Sequence, residues 1–286
     1  MVVVVNGASR RSERALGALQ SSLHAHGLAV DGLHVGTDER EVRGHVKRAV
    51  RSGADAVVVG GGDGTMAHAV DVLAHRKTAL GLIPLGTGNS FARSLGIPLD
   101  DVDAAVAVIA RGRRRKVDLG RVNGTYFANF ATIGLSSQIA RATATTAKGW
   151  LGNFAYALSA IGPIVKHGAF RARIRWAGGK LALRTQDIIV ANGRYFGDTP
   201  LAPDASLTDG LLTLFAVADP SRIGALKTYL ALGSDQQARL ANAHLIAAPA
   251  FRIRARAAQM ISIDGSLLEK TPARFRVAPA ALRVFV

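Results

Sequence analysis

Between residues 2 and 83, four short apolar runs alternate with stretches of helical periodicity, and nothing else in the chain narrows the available folds as much. The runs are "VVVV" at the amino end, "LAVDGLHV" (28–35), "DAVVVG" (55–60) and "TALGLI" (78–83). Between them fall a helical stretch ending near Gly27, a helix from about Asp38 to Ser52 closed by Gly53, and a helix of about ten residues from Thr65. Short apolar strands separated by amphipathic helices require a parallel sheet covered on both faces. In such a sheet ligands sit beyond the carboxyl ends of the strands. Two glycine-rich turns fall at those ends, Gly60-Gly-Gly-Asp-Gly-Thr65 and Pro84-Leu-Gly-Thr-Gly-Asn-Ser90.

After "DLGRVNG" (118–124) the pattern changes. Apart from helical stretches around 147–166 and 220–233, it consists of strand signals: "TYFANFATI", "FRARIRW", "LALRTQDIIVAN", "GLLTLFAV", "FRIRARA", "MISIDG", "FRVA" and "LRVFV". Gly178-Gly179 marks a hairpin. The expected architecture is an α/β N-terminal domain with a parallel sheet, residues 1–117, followed by a mainly antiparallel, β-rich C-terminal domain, residues 118–286. A return of the last strand to the first domain is left open.

The 286 residues, 49% hydrophobic, suffice for two cores. With no cysteine, disulfides, thiol nucleophiles and cysteine-bound zinc are excluded. The eight histidines are scattered, so a metal would be held by oxygen. No run approaches the length of a membrane span and no secretion signal opens the chain, which places it in the cytoplasm.

A formal charge of +16 calls for an anionic partner: nucleic acid, a membrane surface or a phosphorylated small molecule. Composition does not choose among them. "FRARIRW" (170–176) and "FRIRARA" (251–257) alternate apolar residues with arginine, so each strand would carry three arginines on one face. That face is either simply solvated or settles against anionic lipid. No helix-turn-helix or finger signature is present, so no specific nucleic acid is expected.

A strand that passes through glycines into a helix presents backbone N–H groups and the positive end of the helix dipole, which together bind phosphate. Glycine allows the dihedrals and the close approach. No lysine follows the last glycine, so the turn is not a P-loop; Gly62 to Ala67 fit the dinucleotide fingerprint only formally, because residues 77–99 offer no acid for a ribose. Asp63 stands where a phosphate would sit, a costly place unless it binds Mg²⁺ or takes a proton. In the second turn Thr87 and Asn89 could hydrogen-bond phosphate or base edges, or Asn89 could cap the helix. A serine hydrolase elbow is absent.

Gly61-Gly62-Asp63-Gly64-Thr65, then Pro84-Leu-Gly-Thr-Gly-Asn89 and Phe91-Ala-Arg93, resemble the diacylglycerol kinase catalytic family. "VDLGRVNGTYFANFATIG", "AKGWLGNFAYALSAI", "VANGRYFGDTPLAPDASLTDGLLTLF" and "ISIDG" follow in that family's order, so the resemblance covers nearly the whole chain. It implies an ATP-binding first domain, a second domain that helps form a lipid site, an active site in the interdomain cleft, and γ-phosphoryl transfer to the hydroxyl of diacylglycerol or a related lipid. By position, Gly61, Gly62, Gly64 and Thr65 would cradle phosphate, with Asn6 and Ser9 as polar contacts from the first turn. Gly86, Thr87 and Asn89 would complete the nucleotide site. Asp63 and Asp264 are the candidate catalytic acids, and Asp209 matches an acid that holds a structural Mg²⁺. ATP and Mg²⁺ are the implied cofactors. The implied partner is a lipid at an anionic membrane surface, visited peripherally, with a homodimer left open.

Three departures stand out. The first turn is Asn6-Gly-Ala-Ser9 instead of Asn-Pro-x-Ser-Gly, and Gly197-Asp198 replaces a glycine pair. Asp264-Gly265-Ser266 stands where bacterial members read Asp-Gly-Glu, with Glu269 three residues further on. An impaired enzyme therefore stays open, as does a small-molecule kinase of the NAD kinase type, which also uses a Gly-Gly-Asp-Gly turn.

Overall fold

The computed structural model describes residues 1–8, 10–137, 168–196, 199–200, 202, 204–221 and 242–286. The chain divides into two units, Met1–Leu119 with Ala278–Val286, and Gly120–Val277. Ser9, the helical stretch expected at 147–166 and nearly all of that at 220–233 lie outside the described residues.

In the first unit the described elements are β1 (Val2–Asn6), α1 (Arg10–Ala25), β2 (Gly32–Gly36), α2 (Glu39–Arg51), β3 (Ala56–Gly61), α3 (Asp63–Leu73), β4 (Ala79–Pro84), α4 (Ser90–Leu95), α5 (Val102–Ala110) and most of β5 (Arg114–Val122). The strands are ordered β2-β1-β3-β4, all parallel. All six residues of β3 and of β4 are buried, which is why neither strand alternates in sequence. The α2 helix shows how local chemistry sets a boundary. The Asp38 carboxylate accepts from the N–H groups of Arg40 and Glu41, acids occupy the first turn, and Arg48 and Arg51 the last.

From β1 the chain moves to one side for β2 and to the other for β3. The reversal of strand order therefore falls between β1 and β3, and a crevice for ligands opens at their carboxyl ends. The helix expected from Thr65 begins two residues earlier, because Gly62 caps it in extended backbone and Met66 N–H bonds back to Gly62 O.

In the second unit β6 (Thr125–Phe127), β7 (Phe130–Gly134), β8 (Phe170–Trp176), β9 (Gly179–Thr185), β10 (Asp187–Ala191), the pair β11 (Tyr195–Phe196) and β12 (Thr199–Pro200), β13 (Leu212–Val217), β14 (Ala243–Ala248), β15 (Ala250–Ala255), β16 (Met260–Ile263) and β17 (Leu267–Lys270) are followed by β18 (Ala273–Phe285). An antiparallel sheet runs β14-β13-β10-β7-β16-β17. A second antiparallel set comprises β9, β8, β15 and the first residues of β18. Phe170, Ile174, Phe251 and Phe275 from this set share one core with Ile133, Ile188, Leu214 and Ile261 from the other, a sandwich of two sheets.

The α/β and antiparallel β-rich parts are as expected; several strand limits are corrected. "LALRTQDIIVAN" is two strands in different sheets, separated at Gln186. "FRVA" and "LRVFV" form one thirteen-residue strand, β18, whose residues from Ala278 onward belong to the first unit, where Val284 pairs in parallel with Leu80. "TYFANFATI" breaks at Ala128-Asn129, for a reason that lies in Asp264.

Candidate active site

The carboxyl end of β1 is tied to the first turn of α3, the helix that follows β3: Asn6 Nδ2 donates to Thr65 Oγ1 at 2.8 Å. Thr65 is buried in the first turn of α3. Asn6 Oδ1 accepts from Ala8 N–H and so shapes the turn that leaves β1. Gly62, the N-cap of α3, has no side chain to offer, and no side chain caps this helix. The first N–H groups of α3, from Asp63 to Thr65, thus meet the crevice without an internal helical partner, in the position where a helix binds phosphate.

The second turn closes on the first. A Cβ at Gly62 would come within 3.1 Å of Gly86 Cα, and one at Gly86 within 2.5 Å of Gly62 Cα. A Cβ at Gly61 would collide with the Thr65 side chain at 2.6 Å. These glycines are therefore required by the approach of the turns to each other, in addition to any approach of a ligand. Asn89, with positive φ, spends its side-chain amide on Gly86: Oδ1 accepts from its N–H at 3.0 Å and Nδ2 donates to its carbonyl at 2.8 Å. It forms no side-chain cap on α4. Thr87 is exposed at the tip of this turn, and Gly64 lies within the first turn of α3.

Asp63 lies between the two helix starts. Ser90 Oγ donates to its Oδ2 at 3.4 Å, while Oδ1 is buried without a hydrogen-bond partner. Burial pushes its carboxyl above the usual range, against the opposing pull of the N–H groups of Ser90, Phe91 and Asn89. An unpaired buried carboxylate oxygen is expensive to maintain and calls for a cation or a proton. The residues present therefore fit a nucleotide phosphate accompanied by a divalent cation.

Asp264, in the second unit, is committed differently. Its Oδ2 accepts from Ala128 N–H at 2.8 Å, and its Oδ1 from Asn129 and Phe130 N–H at 3.0 and 2.9 Å. Three peptide N–H groups turn towards one carboxylate, and this is what interrupts the expected strand between β6 and β7. Asp209 is exposed and organises its own turn, accepting from Ser206 and Leu211 N–H. Among the described residues no three His, Asp or Glu side chains gather as a metal site, so Asp209 has no companion of that kind there. Glu269 stands in β17 and accepts from Thr125 Oγ1 at 3.4 Å, while the Ser266 hydroxyl is buried without a partner. No described helix is long and apolar enough to cross a membrane.

One feature absent from the sequence reading is the pair of Ser136 and Asp187, whose side chains bond to each other while Asp187 also accepts from Ser136 N–H. Burial drives the Asp187 carboxyl up to about 7. An acid immediately preceding the apolar run "IIVA" was the available signal.

An uncapped helix start at the switch point of a parallel sheet, closed by a second glycine turn, is the arrangement that α/β proteins offer to phosphate groups. Residues 1–122 match the family model described as the diacylglycerol kinase catalytic domain, and residues 130–286 that described as the YegS C-terminal NAD kinase beta sandwich-like domain. The protein named "Probable lipid kinase YegS-like" of Pseudomonas aeruginosa strain PAO1 is 33% identical over 294 residues, covering 99% of this chain and 93% of the relative. Its counterpart in Pseudomonas fluorescens strain Pf-5 is 34% identical over 248 residues, 84% of this chain and 80% of that one. A solved structure, "a putative diacylglycerol kinase from Bacillus anthracis str. Sterne", superposes with a TM-score of 0.81 at 25% identity, covering 99% of this chain and 96% of its own. The chain belongs to the lipid kinase family built on the diacylglycerol kinase catalytic domain.

Proposed function

We propose that the protein transfers the γ-phosphoryl group of ATP to the hydroxyl of diacylglycerol or a related long-chain alcohol. The observation that carries the reading is the uncapped start of α3 at the β1/β3 switch point, with the unpaired Oδ1 of Asp63 beside it. The α3 N–H groups bind the terminal phosphates, and the Asn6–Thr65 bond fixes the angle at which α3 leaves the sheet. The Gly86 turn, locked by Asn89, forms the second wall. Mg²⁺ bound with the nucleotide would neutralise phosphate charge and would meet the Asp63 carboxylate through Oδ2, which leaves Oδ1 for a proton.

Phosphoryl transfer leaves the acceptor proton to be taken up. Of the two candidate acids, Asp63 keeps an oxygen with no partner, whereas both oxygens of Asp264 already accept backbone N–H groups. Proton uptake is therefore assigned to Asp63 Oδ1 and a positioning role to Asp264, which holds residues 128–130 in place. The resemblance of the second unit to an NAD kinase sandwich keeps NAD in the trial as a rival acceptor. Labelled ATP offered with diacylglycerol, long-chain amino alcohols and NAD, followed by identification of the product, decides the matter. A labelled phospholipid is the expected product; labelled NADP, or label released only as phosphate, would overturn the reading.

A further inference from the structure

The outer face of the β9-β8-β15-β18 sheet is a plane of cations, and the register shows how unusual it is. Arg175 lies directly opposite Arg252, which lies opposite Arg274, so three guanidinium groups form one row across three strands. In further rows Arg173 faces Arg254 and Arg171 faces Arg184. All of these arginines are exposed, while the residues between them, such as Ala172, Ile174, Ile253 and Phe275, are buried in the sandwich core. The described stretches of these strands contain no acid, and among the described residues none of these arginines is in an ion pair.

Like charges placed directly across a sheet destabilise it. Alternation places the cations on one side, yet burial of the apolar partners would be equally well served by polar or acidic residues at the exposed positions. At the end of the face, Arg175, Arg252, Arg274 and Arg276 line a depression of about 300 Å³ in which Ala177 and Ala250 are the small side chains. Two small side chains among four arginines leave room for a phosphate headgroup.

We propose that this face is the membrane-docking surface and that its occupant is anionic phospholipid. Charge complementarity favours that occupant: the face is broad, uniformly cationic and made of strands, and among the described residues it offers no helix to enter a nucleic-acid groove and no exposed aromatic ladder for bases. A second copy of the same face would be repelled. The proposal rests on membership of a lipid kinase family, whose acceptor resides in a bilayer, and is independent of the role given to Asp63.

Sedimentation of the full chain with vesicles, without ATP, tests docking separately from catalysis. Binding should require phosphatidylglycerol in a phosphatidylcholine vesicle and weaken with salt. Each arginine near an anionic surface contributes about fivefold in partitioning, so Arg175→Gln, Arg252→Gln and Arg274→Gln together should weaken binding on the order of 100-fold. Thermal unfolding should show the triple variant at least as stable as the parent, since repulsion has been relieved. Removal of the same charge from exposed positions of the first unit, with Arg40→Gln, Lys47→Gln and Arg51→Gln, should cost far less. Equal losses for the two triple variants would reduce the effect to net charge and overturn the proposal. Undiminished vesicle binding by the arginine-face variant would do the same, as would dependence on this face for DNA but not for vesicles.

Discussion

Replacing Gly86 by alanine tests how the two turns meet. The new methyl carbon would stand 2.5 Å from Gly62 Cα and 2.8 Å from Asn89 Oδ1. Neither obstacle is the free end of a flexible side chain: one is backbone, and the other is fastened to Gly86 by two hydrogen bonds. Relief therefore requires a backbone shift at the start of α3 or loss of the Asn89 ring. Overpacking of this kind costs typically 1–3 kcal/mol, and about 2 kcal/mol lowers the unfolding midpoint of a unit this size by roughly 8 °C. The same shift displaces the N–H groups assigned to phosphate, so affinity for magnesium-ATP should fall with stability. Gly17, exposed in α1, supplies the opposite case. A Cβ there meets nothing within 4 Å, and Gly17→Ala should gain about 0.5–1 kcal/mol from the reduced backbone entropy of the unfolded chain. Calorimetric unfolding and nucleotide titration of both variants make the comparison. If Gly86→Ala unfolds and binds like the parent, the contact between the turns is not what requires glycine, and the geometry assigned to the site fails.

Asp63→Asn and Asp264→Asn should separate chemistry from architecture. Burial raises the Asp63 carboxyl above 3.8, so its ionised form opposes folding as pH rises from that value through the raised one. Asp63→Asn should accordingly keep or increase stability at neutral pH, while turnover falls on the order of 10²–10⁴-fold; unchanged turnover in a lipid phosphorylation assay would remove Asp63 from the reaction. Asp264→Asn, whose single carbonyl oxygen cannot serve three N–H groups, should lose about 1–3 kcal/mol in denaturant titration, and an unchanged midpoint would contradict the anchoring role. For Asp187 the folded value of about 7 exceeds 3.8, so the folded protein retains a proton that the unfolded chain releases between those values. Stability should fall as pH rises from about 4 to 7, by an amount on the order of 4 kcal/mol, and Asp187→Asn should flatten that slope in pH-dependent unfolding; an unaltered slope would refute the assignment.

The first unit was legible because strand and helix there differ in period and because buried parallel strands carry unbroken apolar runs. Residues 56–61 and 79–84 are such runs. The second unit was legible in class and less so in limits. Gln186 separates two strands of different sheets, yet its neighbours are as strand-like as those within β9, and pairing alone decides where the break falls. The interruption at Ala128-Asn129 is caused by a carboxylate 135 residues away, a contact that no local pattern encodes. β14 was not anticipated, since "AHLIAA" is too rich in alanine for a strong strand signal.

At the site, the glycines and Asp63 were visible as types out of place: four glycines where a strand should end, and an acid where phosphate would sit. Their partners were not. The Asn6–Thr65 bond joins residues 59 apart, and the closure of Asn89 on Gly86 depends on a left-handed backbone that the sequence only permits. The arginine alternation was plain in two strands, but only register showed that the arginines face one another in rows.

Amide hydrogen exchange of the full chain with and without magnesium-ATP tests the nucleotide site most directly. Exchange should slow at residues 62–65 and 86–91, where the α3 start and the second turn would close on phosphate, with Asp63→Asn altering that pattern. Protection elsewhere with none at these two turns, or no protection at saturating nucleotide, would contradict the assignment of the crevice to ATP.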